Sequence, residues 1–125
     1  MSKELRDKAT LYYNNFLFFK KKSKQLFKKI IIYINDNNIL LKSEIKDNIK
    51  ILISKWNNTD NYSGQDYLDM KNISDTINNK LDNNELHIKD LFSIYLSNFD
   101  RFQKDLYNFY EYAEKIKEME IIIKE

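Results

Sequence analysis

The chain has 125 residues, a formal net charge of +2 and no cysteine. That suits one domain with a real core and excludes a disulfide framework, a thiolate metal site and a cysteine nucleophile. Proline is absent and glycine occurs once, at Gly64, so long uninterrupted helices are expected and hairpins are not.

The first element is a helix over 3–35. Its apolar residues alternate at four and three: Leu5, Ala9, Tyr12, Phe16, Phe19, Ser23, Leu26, Ile30 and Tyr33, with Ser23 the one polar member. That is the heptad seam of helices lying nearly along one another. A second helix, 42–57, carries Ile45, Ile49, Leu52 and Trp56 at helical spacing, with Ser43 as its expected N-cap. The polar stretch from Asn57 to Gly64 reads as a loop. Ser63 followed by Asp66 resembles a capping box, with Asp in place of Glu, that opens a third helix over 64–81. Its stripe is Met70, Ile73, Ile77 and Leu81. After a break at Leu81–Asn84, with Asn84 as the expected cap, a fourth helix runs over 85–123. It repeats the seam pattern in Ile88, Phe92, Tyr95, Phe99, Phe102, Leu106, Phe109, Ala113 and Ile116.

The fold class is therefore all-α: an antiparallel helical bundle in one domain, 1–125, with long first and last helices and two shorter middle ones. Two architectures fit. In an interrupted three-helix bundle the middle layer is broken near residue 60 and the long helices run parallel. In a four-helix up-and-down bundle the chain turns back at the loop and the long pair is antiparallel. At about 1.5 Å per residue the middle helices together match the length of the first, which favours the interrupted form.

Catalytic chemistry is sparse. One glycine cannot build a phosphate-cradling loop. The single histidine, His87, is too little for a serine triad or a zinc site. Thr59 to Gly64 superficially matches a calcium loop, but Thr59 and Met70 occupy the positions where Asp and Glu are required. A carboxylate di-metal bundle would carry Glu-x-x-His motifs, and none is present. No enzyme activity, cofactor or metal is expected.

Charge is unevenly spread. Residues 1–62 hold 13 Lys/Arg against 6 Asp/Glu, and residues 63–125 hold 8 against 13. Six lysines fall within ten residues: Lys20, Lys21, Lys22, Lys24, Lys28 and Lys29. The plainer reading is a solvated face that pairs with acidic residues of the last helix. The sharper one is a phosphate-tracking surface for RNA or DNA. The seam aromatics are expected inside, where they cannot stack on bases, and arginine, the usual base reader, is limited to Arg6 and Arg101. The Asn-, Lys- and Ile-rich usage also points to an AT-rich genome, which dilutes any argument from lysine number. A membrane-surface role is disfavoured because the seam continues in register on both sides of the lysines.

Opposite the seam of the first helix stand Leu11, Phe18 and Ile32, with Leu17 and Ile31 adjacent. A helix apolar around its circumference is interior or covered by a partner. These five residues are the candidate partner-binding set. The charged N-terminal stretch has no signal-peptide core, and the apolar runs are far below the roughly 18 residues of a membrane span, so a cytoplasmic protein is expected. The function expected is a non-enzymatic protein–protein interaction or assembly module, such as an adaptor, with a protein partner or a second copy. The alternative is a basic helical module on RNA or DNA within a larger assembly.

Overall fold

The computed structural model describes residues 2–82 and 85–124, with side chains for 3–82 and 85–119. The elements are α1 (Ser2–Asp36), α2 (Ser43–Asn57), a 3-10 turn (Thr59–Asn61), α3 (Gly64–Lys80) and α4 (Leu86–Lys124). No strand occurs among the described residues, and no helix among them is long and apolar enough to cross a membrane.

The long helices are antiparallel. Tyr12 stacks on Tyr112, Phe16 meets Phe102, Phe27 meets Tyr95, and Tyr33 meets His87. The chain thus adopts the up-and-down form, and the interrupted form favoured by equal lengths is not what is built. Contacts at the far ends of the middle helices show the reversal. Glu44 and Lys80 form an ion pair at 3.3 Å, and Lys42 and Asp82 one at 3.1 Å, so the start of α2 lies beside the end of α3.

Inside, one hydrogen-bonded network ties three helices together. The Trp56 indole N–H donates to the Tyr95 hydroxyl at 3.1 Å, and the Ser74 hydroxyl donates to the Met70 carbonyl at 2.8 Å. The Ser74 proton is therefore in use, and Tyr95 donates to Ser74 across 2.9 Å. Each donor of this network has an acceptor, as a dry interior requires. Around it Trp56 makes edge contacts with Tyr95, Phe99 and Phe102. Burial pushes the Tyr95 phenol far up from its ordinary range.

The helix ends follow local chemistry. α1 stops in a Schellman motif: Asn38 adopts a left-handed φ of 50°, the Ile39 N–H bonds to the Ile34 carbonyl, and the Asn38 N–H bonds to the Asn35 carbonyl. Asn is the common substitute for glycine there. The Ser63–Asp66 box is present, with the Ser63 N–H 2.7 Å from the Asp66 carboxylate; that bond holds the carboxyl below its usual range. Ser43 is not the cap of α2. It is the first helical residue, Lys42 takes the N-cap position, and no side chain bonds back. The expected cap Asn84 lies outside the described residues.

α2 and α3, of 15 and 17 residues, are much shorter than the 35 and 39 of the long pair. They cover only one end of it. Tyr67, near the start of α3, already packs on Phe16 and Phe102. Beyond that level α1 and α4 continue alone as a two-helix stem on a four-helix base.

Candidate functional site

The stem carries an uncovered seam. In the base a residue on the α1–α4 seam is roofed by α2 and α3, and in the stem no described residue of α2 or α3 roofs it. Tyr13 and Phe109 touch at 5.1 Å between ring centroids, yet Tyr13 is 42% exposed and Phe109 is only half-buried. A shallow groove of ≈ 380 Å³ runs here, lined by Arg6, Ala9, Thr10, Tyr13, Phe109 and Ile116. Tyrosines suit such a half-covered seam, since the ring buries while the hydroxyl stays wet. Tyr12 and Tyr112 stack at 5.5 Å, and the ammonium groups of Lys8 and Lys115 lie 5.6 Å and 4.8 Å from the Tyr112 ring. By heptad position alone Phe109 and Ile116 belong to the core. Their true position was signalled by the lengths of the middle helices, each about half that of the long pair.

The five candidate partner residues fall in three places. Leu11, Phe18 and Ile32 lie exposed, with Phe18 60% open to solvent, and Ile32 also lines the cleft between α1 and α2. They stand a heptad or two apart, and Gln25, also exposed, fills the gap in the line. Leu17, also exposed, is one helical turn from Tyr13. Ile31 is different: it is half-buried, packs against the core and lines the cleft between α1 and α2 with Ile53.

The lysine run also divides. Lys21, Lys22, Lys24, Lys28 and Lys29 are exposed, and none pairs with a described carboxylate. The expected pairing with acidic residues of the last helix does not form, because these positions turn away from the α4 face of α1. Acidic α4 residues pair with α3 or along their own helix instead, as in Asp100 with Lys71 and Glu111 with Lys115. For Lys71 burial works against the charge, but the hydrogen bonds that its ammonium donates to Asp75 and Asp100 outweigh it and raise its pKa.

Lys20 is the exception within the run. Its ammonium donates to the Thr59 carbonyl at 3.4 Å and lies 5.4 Å from the Tyr67 ring and 5.7 Å from the Phe16 ring. The Tyr67 hydroxyl donates to the same carbonyl at 3.4 Å. Lys20 thus fastens the α2–α3 connection onto α1. Partial burial lowers its pKa, with Asp60 pulling the other way and Lys24 adding to the fall. Burial likewise moves the Tyr67 phenol up to about 12.

Among the buried oxygens without a hydrogen-bond partner are Ser23 Oγ on α1, Asn78 Oδ1 on α3 and Asp105 Oδ2 on α4. Asp105 is 4% exposed, and its best charge partner is Arg101 Nε at 3.8 Å, on the solvent side. Burial raises its carboxyl above the ordinary range, against the pull of Arg101 and Lys104. No group of three or more His, Asp or Glu side chains among the described residues is placed to hold a metal ion. His87 is exposed and packs its ring 4.6 Å from Tyr33.

No protein-family model, curated protein or solved structure matches this chain.

Proposed function

We propose that the protein is a non-enzymatic, cytoplasmic interaction module that holds another protein, or a second copy of itself, along the open seam of its stem. The observation that carries this reading is the continuation of the α1–α4 seam past the end of α2 and α3. Ala9, Tyr13, Phe109 and Ile116 there repeat the arrangement that α2 and α3 cover in the base. A partner helix laid on them extends the same packing by the removal of apolar surface from water. Leu17 and Tyr110 widen the contact at its lower edge.

A photo-cross-linking residue at Ile116, with Ser97 on the exposed face of the base as control, tests this in living cells. A discrete protein adduct from position 116 and none from 97 is expected. Absence of an adduct, together with a monomer in light scattering at all concentrations, removes the reading.

A second reading rests on one observation, the five unpaired lysines on α1. Between Lys8 and Asn35 that helix has no acidic residue, so the face is a candidate for nucleic-acid phosphates. Purified protein that retains absorbance at 260 nm and binds an oligonucleotide with a steep salt dependence would favour it over the first.

A further inference from the structure

The four edges of the base are not equally closed. α1 lies close against α4, α4 against α3, and α3 against α2, while the α1–α2 edge stands open. The opening forms two consecutive clefts, of ≈ 490 Å³ and ≈ 270 Å³, along the length of α2. Their floor is core: Phe27, Ile31, Ile34, Ile49, Ile53 and Trp56. Each cleft is basic on one bank: Lys46 and Lys50 of α2 line the larger, opposite Asn35 and Asn38, and Lys24 and Lys28 of α1 line the smaller. No carboxylate lines either cleft, and none of the four lysines pairs with a described carboxylate. At the closed end of the bundle Leu40, 87% exposed, extends the apolar strip.

We infer that this edge is a docking groove for an amphipathic helix of a partner protein, one with an apolar stripe flanked on both sides by Asp or Glu. Half-buried Ile31 and Ile53, with exposed Ile32 and Leu40, supply apolar surface for the stripe, and the lysines, whose stems lie along apolar surface while their heads stay wet, supply opposite charge on α2 in one half of the groove and on α1 in the other. That charge pattern steers encounter and fixes orientation. α2 has 15 residues, so the groove takes a helix of about 15 residues, roughly 22 Å. Two copies of the groove cannot serve each other, because a symmetric contact places lysine against lysine. RNA gains little from the floor, since Phe27 and Trp56 are buried and offer no face for base stacking. The groove is distinct from the stem seam and involves none of its residues, so either surface can fail its test alone.

The test uses two labelled synthetic helices with the same leucine stripe, one flanked by Glu and the other by Lys, titrated against the full chain by fluorescence anisotropy. Trp56, the only tryptophan, reports occupancy through its emission. The Glu-flanked peptide should bind saturably, shift the Trp56 emission and bind at least about tenfold tighter than its Lys-flanked counterpart. Lys46→Glu combined with Lys50→Glu, which leaves two lysines against two carboxylates, should abolish that preference with the thermal melt unchanged. If the double variant does not fold, Lys24→Glu with Lys28→Glu gives the same reading from the other bank. The inference is overturned if neither peptide binds or both bind alike, or if charge reversal leaves the preference intact. It is also overturned if oligouridine or phosphatidylserine vesicles bind through these lysines while the peptides do not, or if light scattering shows a dimer formed across this edge.

Discussion

Base and stem are built on the same two helices, in one continuous heptad pattern, yet their interiors differ. In the base Phe92, Tyr95, Phe99 and Phe102 are all 0% exposed. About two to four turns further along, Phe109, Tyr112, Ala113 and Ile116 keep some of their surface in water. The pattern along α4 does not change at that boundary. Only the cover changes, because α2 and α3 stop. A seam therefore specifies which side of a helix is apolar, and the number of neighbours decides how much of that side is dry.

The sharpest way to break this comparison is to truncate the same side chain type in both regions. Phe99→Ala or Phe102→Ala is expected to cost about 3–5 kcal/mol in denaturant melts, whereas Phe109→Ala, half in water already, should cost about 1–2 kcal/mol. Equal losses would mean that the stem is covered in solution. Hydrogen exchange should agree, with amide protection high from Phe16 to Ile34 and falling toward Leu5.

Next in size is the hydrogen-bonded network in the base. Tyr95→Phe leaves the Trp56 N–H without its acceptor and the Ser74 hydroxyl without its donor, a loss of about 2–3 kcal/mol. The stem contains no such network among its described residues, so Tyr112→Phe should change the melt by less than about 0.5 kcal/mol. A Tyr95→Phe protein as stable as the parent would show that the buried network does not hold α2, α3 and α4 together.

At the boundary between the regions, Asp105→Asn should raise stability by about 1–2 kcal/mol at neutral pH. The carboxyl titrates higher in the folded chain than in the unfolded one, so the folded chain holds the proton more tightly. Its charge therefore destabilises at neutral pH, and the penalty fades as pH falls through the raised value toward the unfolded one. The advantage of the Asn variant should shrink over that same acid window. An advantage independent of pH would assign the effect to packing. Ser23→Ala, which removes an unpartnered buried hydroxyl from the α1 seam, should add about 1 kcal/mol at any pH.

The smallest effect distinguishes Lys20 from the other lysines. Changing Lys21, Lys22 and Lys24 to Gln should leave the melt unchanged, since they are exposed and unpaired. Lys20→Gln should lower stability by about 1 kcal/mol, through the freed Thr59 carbonyl and the lost contacts with Phe16 and Tyr67. Identical melts for both variants would show that the α2–α3 connection holds without Lys20.

Helix extents were readable from sequence because punctuation is so scarce: with one glycine and no proline, each polar break marks a real end. The direction of the chain after Asn57 was not readable. It shows in Lys80 meeting Glu44 and in Asp82 meeting Lys42, the latter pair 40 residues apart, contacts which no local pattern encodes. The surface divides in the same way. Phe18 was legible as opposite the seam of α1, but whether that side is interior or outward depends on where the middle helices lie, which the α1 heptad does not encode. Ile31 was not legible as half-buried, because α2 approaches α1 from the side, a direction the α1 heptad alone does not define. The lysine pairing failed for a related reason: the charge excess of each half says nothing about which face carries it.

The antiparallel long pair sets how the molecule responds to force. Lys3 and Lys117 sit at the same end, the tip of the stem, so handles attached there load the two helices in unzipping rather than in shear. Contacts then break turn by turn from the tip, past Ala9 and Ile116 and then through the half-wet Tyr12–Tyr112 stack. Resistance rises only when the opening front reaches Phe16 and Phe102, where Tyr67 of α3 also bears on both rings and separation of the long helices requires a third to move with them. An optical trap pulling on that pair of residues would read the boundary between stem and base as a step in the force trace.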